Sequence, residues 1–338
     1  MPQAPHRYST DSLTLLTYNG LVARGTRPLY VRAVRTRLAD GSLIKIRPGI
    51  YVSGDEWRDA RPEVQVLARA RALDLASSER PVFTHETAAA LHRLPLYRPD
   101  RARVHVTLPP ERPGAAVGVV RHRGALPDEE IAEIDGHLCT TLPRTVADVA
   151  RTATFEQAVT VADAALRLIA SHGPGAYDVD EASAFCEDVR RIARRSAHGV
   201  ARAERVLRFA DGRAQLPGES ISRIRLAQLG FSDLELQVPV DAPGGGSYYV
   251  DFGIDGRRVL GEFDGAMKYV DGRMLDGRTT AEAFDREKRR EDWIRARTGV
   301  PLVRWGWTDV ATAATLGARL AAFGIRPAPV ARTRRRTW

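Results

Sequence analysis

Apolar positions along this chain change period several times, and each change predicts an element. Ser12 to Tyr18 reads as a short helix that ends near Asn19-Gly20. Thr26-Arg27-Pro28 is a helix start with proline in the first turn. In that helix Leu29, Val34 and Leu38 are expected to fall inward while Arg32, Arg35 and Arg37 point elsewhere, and Asp40-Gly41 stops it. From Ser42 to Val52 the period becomes two, through Ile44, Ile46, Ile50 and Val52, around an Arg47-Pro48-Gly49 turn. An arginine-bearing helix followed by a basic hairpin predicts a winged helix. Such a unit would lay its helix in a DNA major groove, with Lys45 and Arg47 near phosphates.

The middle of the chain alternates helical and extended patterns. Thr84 to Pro95 predicts a capped helix, Val104–Leu108 and Val117–His122 predict strands, and Thr141 to Ala150 opens another helix. His172-Gly173-Pro174-Gly175 breaks the chain before a connecting helix over Cys186–Phe209, with Val189, Ile192, Val200, Val206 and Leu207 as its buried positions.

From Leu216 the pattern reads helix, strand, strand, helix, strand. Glu219 begins the first helix. Val250, Phe252 and Ile254 alternate onto one face of a strand, which leaves Asp251 on the other; a turn at Asp255-Gly256 follows. In the next strand Leu260, Glu262 and Asp264 share one face, opposite Val259 and Phe263. An amphipathic helix over Ala281–Arg297 precedes a strand at Pro301–Trp307. Burying acids among strand residues costs several kcal/mol unless something positive sits between them. Three acids on a small sheet therefore suggest a divalent-metal site.

Length and composition bound these readings. With 338 residues, 43% of them hydrophobic and 28% charged, the chain is globular and long enough for two or three domains. No apolar run suits a membrane span, and the N-terminus lacks a secretory layout. Cys139 and Cys186 stand alone, without zinc or disulfide spacing. A cytoplasmic protein with no membrane partner is expected. The net charge of +9 is uneven. Residues 1–60 carry nine Lys and Arg against five Asp and Glu, residues 216–326 carry sixteen of each, and residues 327–338 carry four arginines and no acid. Basic ends suit phosphate backbones, although a solvated surface and a frayed terminus read equally well for the tail. The segments expected are 1–60 (winged helix), 61–170 (mixed α/β), 171–215 (helical connector), 216–326 (α/β) and 327–338 (basic tail).

Two resemblances refine this picture. Leu38-Ala39-Asp40-Gly41-Ser42-Leu43 and Arg47-Pro48-Gly49-Ile50-Tyr51 resemble the N-terminal domain of AbiEi-like antitoxins of type IV toxin–antitoxin systems, and the 84–95 and 141–150 blocks resemble the same proteins' middle domain. This implies promoter binding, transcriptional repression and a cognate toxin or other protein partner. Val250-Asp251-Phe252, Glu262-Phe263-Asp264-Gly265, Lys268-Tyr269, Glu287 to Asp292 and Val303-Arg304-Trp305 resemble the restriction-endonuclease-like PD-(D/E)xK fold, nearest to a domain group related to very-short-patch-repair endonucleases. That implies a hydrolase acting on DNA phosphodiesters, in repair or defence. Asp251 and Glu262 would hold magnesium or manganese, Glu219 would lend a third acid, and Lys268 or Lys288 would be the cation. Independently, no histidine follows His198, so a C-terminal site would use oxygen ligands. Asp264 stands where the usual motif has lysine, which leaves a degenerate, non-cleaving regulator as the rival reading and a protein-interaction adaptor as a third. The expected class is thus multidomain α/β: winged helix, mixed α/β middle domain and restriction-endonuclease-like domain. His85, His92, His105, His122 and His137 lack a ligand spacing and read as structural. Arg144 and Asp148 read as a helical ion pair.

Overall fold

The computed structural model describes residues 13–17, 27–108, 117–265 and 280–327. It is a multidomain α/β chain that divides into two compact units, Met1–Ala165 with Ser183–Arg208, and Leu166–Ala182 with Phe209–Trp338.

The first unit begins with β1 (Leu16–Thr17), which pairs antiparallel with β3 (Ile50–Ser53). Residues 16–17 are therefore strand, where the sequence predicts helix; Ser12 and Tyr18, the ends of that predicted helix, lie outside the described residues. The reason is visible in the packing. Leu15 packs with Ile46, Ile50, Val52 and Ala72, whereas its neighbour Leu16 packs with Val34, Leu43 and Tyr51. Adjacent leucines packed, partly buried, on opposite sides satisfy a period of two. Helix α1 (Arg27–Ala39) follows, then β2 (Leu43–Arg47), whose hairpin with β3 turns at Gly49. Gly54 opens the short α2 (Gly54–Asp59) with its amide on the Ser42 carbonyl; a Cβ there would lie 1.9 Å from the Gly41 oxygen. Helix α3 (Pro62–Ala76) carries Ala72 into the same core.

The rest of this unit is built on a five-stranded mixed sheet of β4 (Val82–Phe83), β5 (Val104–Leu108), β6 (Val119–Arg123), β7 (Ile131–Ile134) and β8 (His137–Thr140), in the order β6-β5-β4-β8-β7. Helix α4 (His85–Leu91) packs on α5 (Leu142–Thr152), where Thr141 and Pro143 make the helix start legible in sequence. The chain continues through α6 (Phe155–Ala170), whose last residues and the following small hairpin of β9 (Ser171–Gly173) and β10 (Ala176–Tyr177) count with the second unit, then through α7 (Val179–Ala193) and α8 (Val200–Phe209). The connector is thus two helices with a break at 194–199, not one; Gly199 there has φ +79°.

In the second unit, α9 (Pro217–Leu229) leads into β11 (Leu234–Asp241), β12 (Ser247–Ile254) and β13 (Val259–Phe263), all antiparallel. Helix α10 (Thr280–Thr298) then crosses over to β14 (Leu302–Trp305), which lies parallel to β13, and α11 (Ala313–Ala321) follows. Strand β11 is absent from the sequence reading because Pro239 interrupts its apolar run. The described helices include none long and apolar enough to cross a membrane.

Alternation in this sheet changes phase at one point. Val250 packs with Val238, Leu260, Leu302 and Ile294 of α10, yet Phe252, two residues on, meets the Trp305 indole, whose Nε1 donates to Ser222 of α9. The expected single face for Val250 and Phe252 is therefore corrected. Pairing holds at Leu236↔Phe252 and Val238↔Val250 and skips Gln237 and Asp251 between them, and Gln237 has φ +53°. An irregularity in both strands re-aims side chains there. Gly261 makes room for the Trp305 ring, which a Cβ would meet at 2.2 Å.

Candidate functional site

The irregularity sets the geometry of the C-terminal acids. The β12–β13 ladder ends at Phe252↔Gly261, so the next step would face Asp251 with Glu262. Instead the Asp251 Oδ2 accepts from the Phe263 amide at 2.8 Å. In β14, Arg304 is the register partner of Glu262. Asp251, Glu262 and Arg304 therefore form a row across three strands.

Glu262 is buried, 8% exposed, and both its oxygens are held by guanidinium groups. Arg290 Nη1 of α10 lies 2.7 Å from Oε1, and Arg304 Nη2 lies 2.8 Å from Oε2. Glu287, one turn before Arg290, binds both arginines, Arg290 at 3.1 Å. Glu291 approaches Arg304 at 3.5 Å, and Arg290 also donates to the Tyr249 carbonyl at 2.8 Å. Burial opposes the charge on both arginines, but the attraction of Glu262 and Glu287 exceeds it, so both pKa values move up.

Glu219, 2% exposed, is engaged from the α9 side. Its Oε2 accepts from the Gln215 amide at 2.8 Å and from Gln237 Nε2 at 3.4 Å. Glu219, Asp251 and Glu262 do not converge as three ligand atoms within 4.8 Å among the described residues. Asp264 continues the β13–β14 ladder through its amide, which donates to the Trp305 carbonyl at 2.8 Å. Lys288 is exposed on α10, and Lys268 lies outside the described residues. The cations at Glu262 are arginines that the sequence reading passed over. Two signals pointed to them: the three-residue spacing of Glu287 and Arg290 on a helix, and an arginine between the buried Val303 and Trp305.

A hard dication here would have to displace two guanidinium groups from Glu262 and an amide from Asp251. As they stand, Glu262 is held in ion pairs with Arg290 and Arg304, and Asp251 accepts the Phe263 amide of the neighbouring strand.

In the first unit, Arg32, Arg35, Arg37 and Lys45 are exposed. Arg32, Arg35 and Lys45 have no ion pair among the described residues. Arg47 is partly covered, and burial followed by repulsion from Arg69 lowers its pKa. Arg69 is an unforeseen basic neighbour, lying over the Trp57 ring at 5.0 Å. Arg144 and Asp148 pair as expected, Nε to Oδ2 at 2.9 Å, and Arg144 also binds buried Glu130 at 2.6 Å. Three of the histidines, His85, His105 and His122, come together beside that pair.

No family model matches the chain. Two proteins of Mycobacterium tuberculosis, Uncharacterized protein MT2308 (strain CDC 1551 / Oshkosh) and Uncharacterized protein Rv2248 (strain ATCC 25618 / H37Rv), are each 28% identical over 228 residues, which is 68% of this chain and 76% of theirs. The crystal structure of the RV2827C protein from the same species covers 68% of this chain and 84% of its own, at 16% identity and a TM-score of 0.36.

Proposed function

We propose that this protein binds DNA through its N-terminal helix and hairpin, and that its C-terminal unit is an endonuclease-like module that does not cut. The observation that carries the second half is the double arginine clamp on Glu262, which uses the oxygens a catalytic metal needs. The first half is supported by exposed Arg32, Arg35, Arg37 and Lys45 on adjoining elements of one winged-helix-like unit. Such a unit contacts phosphates from its basic hairpin and reads bases from its helix. This makes the protein a transcriptional regulator of antitoxin type, with a cognate toxin or another protein as its second partner.

A second reading, a metal-dependent endodeoxyribonuclease, is favoured by one feature. The helix, three antiparallel strands, crossover helix and parallel strand follow the order of restriction-endonuclease-like domains, and Asp251 and Glu262 stand on its two middle strands. The full-length protein should retard duplex DNA in a gel shift and leave supercoiled plasmid intact with magnesium or manganese. Nicking that disappears in Asp251→Ala and Glu262→Ala would establish the nuclease instead. Unchanged affinity in Arg32→Ala/Arg35→Ala would remove the N-terminal assignment.

A further inference from the structure

We propose that His85, His105 and His122 form a transition-metal site, selective for zinc, inside the first unit. The site does not depend on the DNA-binding reading. Three elements supply it: His85 opens α4, His105 lies on β5 and His122 on the neighbouring β6. In the parallel β5–β6 register His105 faces Val120 and Thr107 faces His122, so the two imidazoles are diagonal neighbours on the sheet. One nitrogen from each of the three rings lies within 4.8 Å of the other two. His105 Nδ1 and His122 Nε2 are 2.9 Å apart, and His85 stacks on His122 with ring centres 3.5 Å apart.

The surroundings prepare His85 as a ligand. Its Nδ1 lies 3.0 Å from the Thr84 hydroxyl, and that hydroxyl donates its proton to Asp148 Oδ2 at 3.1 Å. With its proton committed, the Thr84 oxygen accepts from His85 Nδ1–H. This fixes the tautomer and leaves the lone pair on Nε2. A carboxylate orienting a ligand histidine through a hydrogen bond is a recurring feature of metal centres; here Thr84 relays it. Asp148 also binds Arg144 and Arg151, at 2.9 and 3.6 Å, which offsets the positive charge nearest the site. The backbone supports the same conclusion. His85 is buried, 6% exposed, yet has φ +52°, a left-handed conformation that non-glycine residues rarely adopt. Strain of that kind persists where the surroundings over-determine a side chain's aim.

Three imidazoles without an acid select a borderline dication such as zinc over magnesium or calcium. Zinc–nitrogen bonds of about 2.0–2.1 Å in a tetrahedral site separate the nitrogens by roughly 3.3 Å. The His105–His122 pair needs to open by only a few tenths of an ångström. Loading exchanges their hydrogen bond for two metal bonds. The donor ring moves its proton to its other nitrogen, and His122 turns out of its stack on His85. With three neutral ligands the ion keeps its charge, so water or an anion completes the coordination.

The test uses the full-length protein, stripped with a chelator and titrated with zinc chloride alone. One zinc per chain is expected, with an X-ray absorption spectrum showing a three-imidazole shell. His105→Gln and His122→Gln, with wild-type circular dichroism, should weaken binding at least 100-fold. His172→Ala removes the histidine of a separate exposed His172, Asp178 and Glu181 group and should bind as wild type. Absence of stoichiometric zinc, a shell with carboxylate oxygens, or loss on His172→Ala in place of His122→Gln overturns the site. The spectrum of the wild-type protein decides even if both glutamine variants unfold.

Discussion

Two polar clusters of this molecule, one in each unit, solve the problem of burial in opposite ways. Around Glu262 in the second unit, each charged group is matched by an opposite one: Glu262 by Arg290 and Arg304, and those in turn by Glu287 and Glu291. Around His85 in the first unit, the groups give up charge. Burial, then the neighbouring rings and arginines, hold the His85 pKa well below its usual range, and burial takes His105 down to about 4 and also lowers His122. In the proposed reading, the ion cluster has its carboxylate oxygens occupied by guanidinium groups. The histidine cluster proposed to bind zinc instead presents neutral ring nitrogens.

The largest effect should come from breaking the ion cluster. Arg304→Ala leaves Glu262 short of a partner in a buried setting and should destabilise the second unit by about 3–5 kcal/mol, read as a lower midpoint in urea unfolding. If its loss is below about 1 kcal/mol, the clamp is not what holds this sheet together.

The neutral cluster should respond to pH, and the sign is fixed. The folded pKa values are depressed below the unfolded value near 6.5, so the unfolded chain binds more protons in acid. Stability from the rings is fully present above pH 6.5 and falls toward pH 4. In chelator-treated protein the slope should approach about 1.4 kcal/mol per pH unit for each depressed ring within that window. Hydrogen exchange across β5 and β6 would report it. A flat profile would contradict the buried, neutral state.

The exposed arginines of α1 should matter for binding and little for folding. Arg32→Ala and Arg35→Ala should each lower the slope of log affinity for duplex DNA against log salt by about one. The smallest effect is expected at the surface of α10. Arg297 and Asp241 pair at 2.8 Å with both side chains more than half exposed, so Arg297→Ala should change stability by less than about 1 kcal/mol. This is the control for Arg304→Ala, since both remove an arginine from an ion pair.

Much of the frame was legible in the sequence. Pro28 in a first turn marked one helix, the 141–150 block marked another, and the Arg47-Pro48-Gly49 turn marked a hairpin. The acids of β12 and β13 were visible as charges in apolar strands. Their environment was not, because Arg290 and Arg304 lie 28 and 42 positions beyond Glu262, and only a crossover helix and a parallel register bring them to it. The histidines failed for the complementary reason. A metal motif on one helix shows its spacing, whereas His85, His105 and His122 meet through sheet pairing and a left-handed residue that leaves no local pattern. The phase change at Gln237 and Asp251 also has no sequence signal, since neither residue is a glycine.

If the arginine clamp closes the Glu262 cluster to catalysis, as proposed, the protein binds DNA without cutting it. The most direct test incubates the full-length protein with supercoiled plasmid and manganese, then resolves the DNA after the protein is removed. DNA that was bound should be recovered supercoiled. Open-circular product formed by wild type and absent with Glu262→Gln would contradict it.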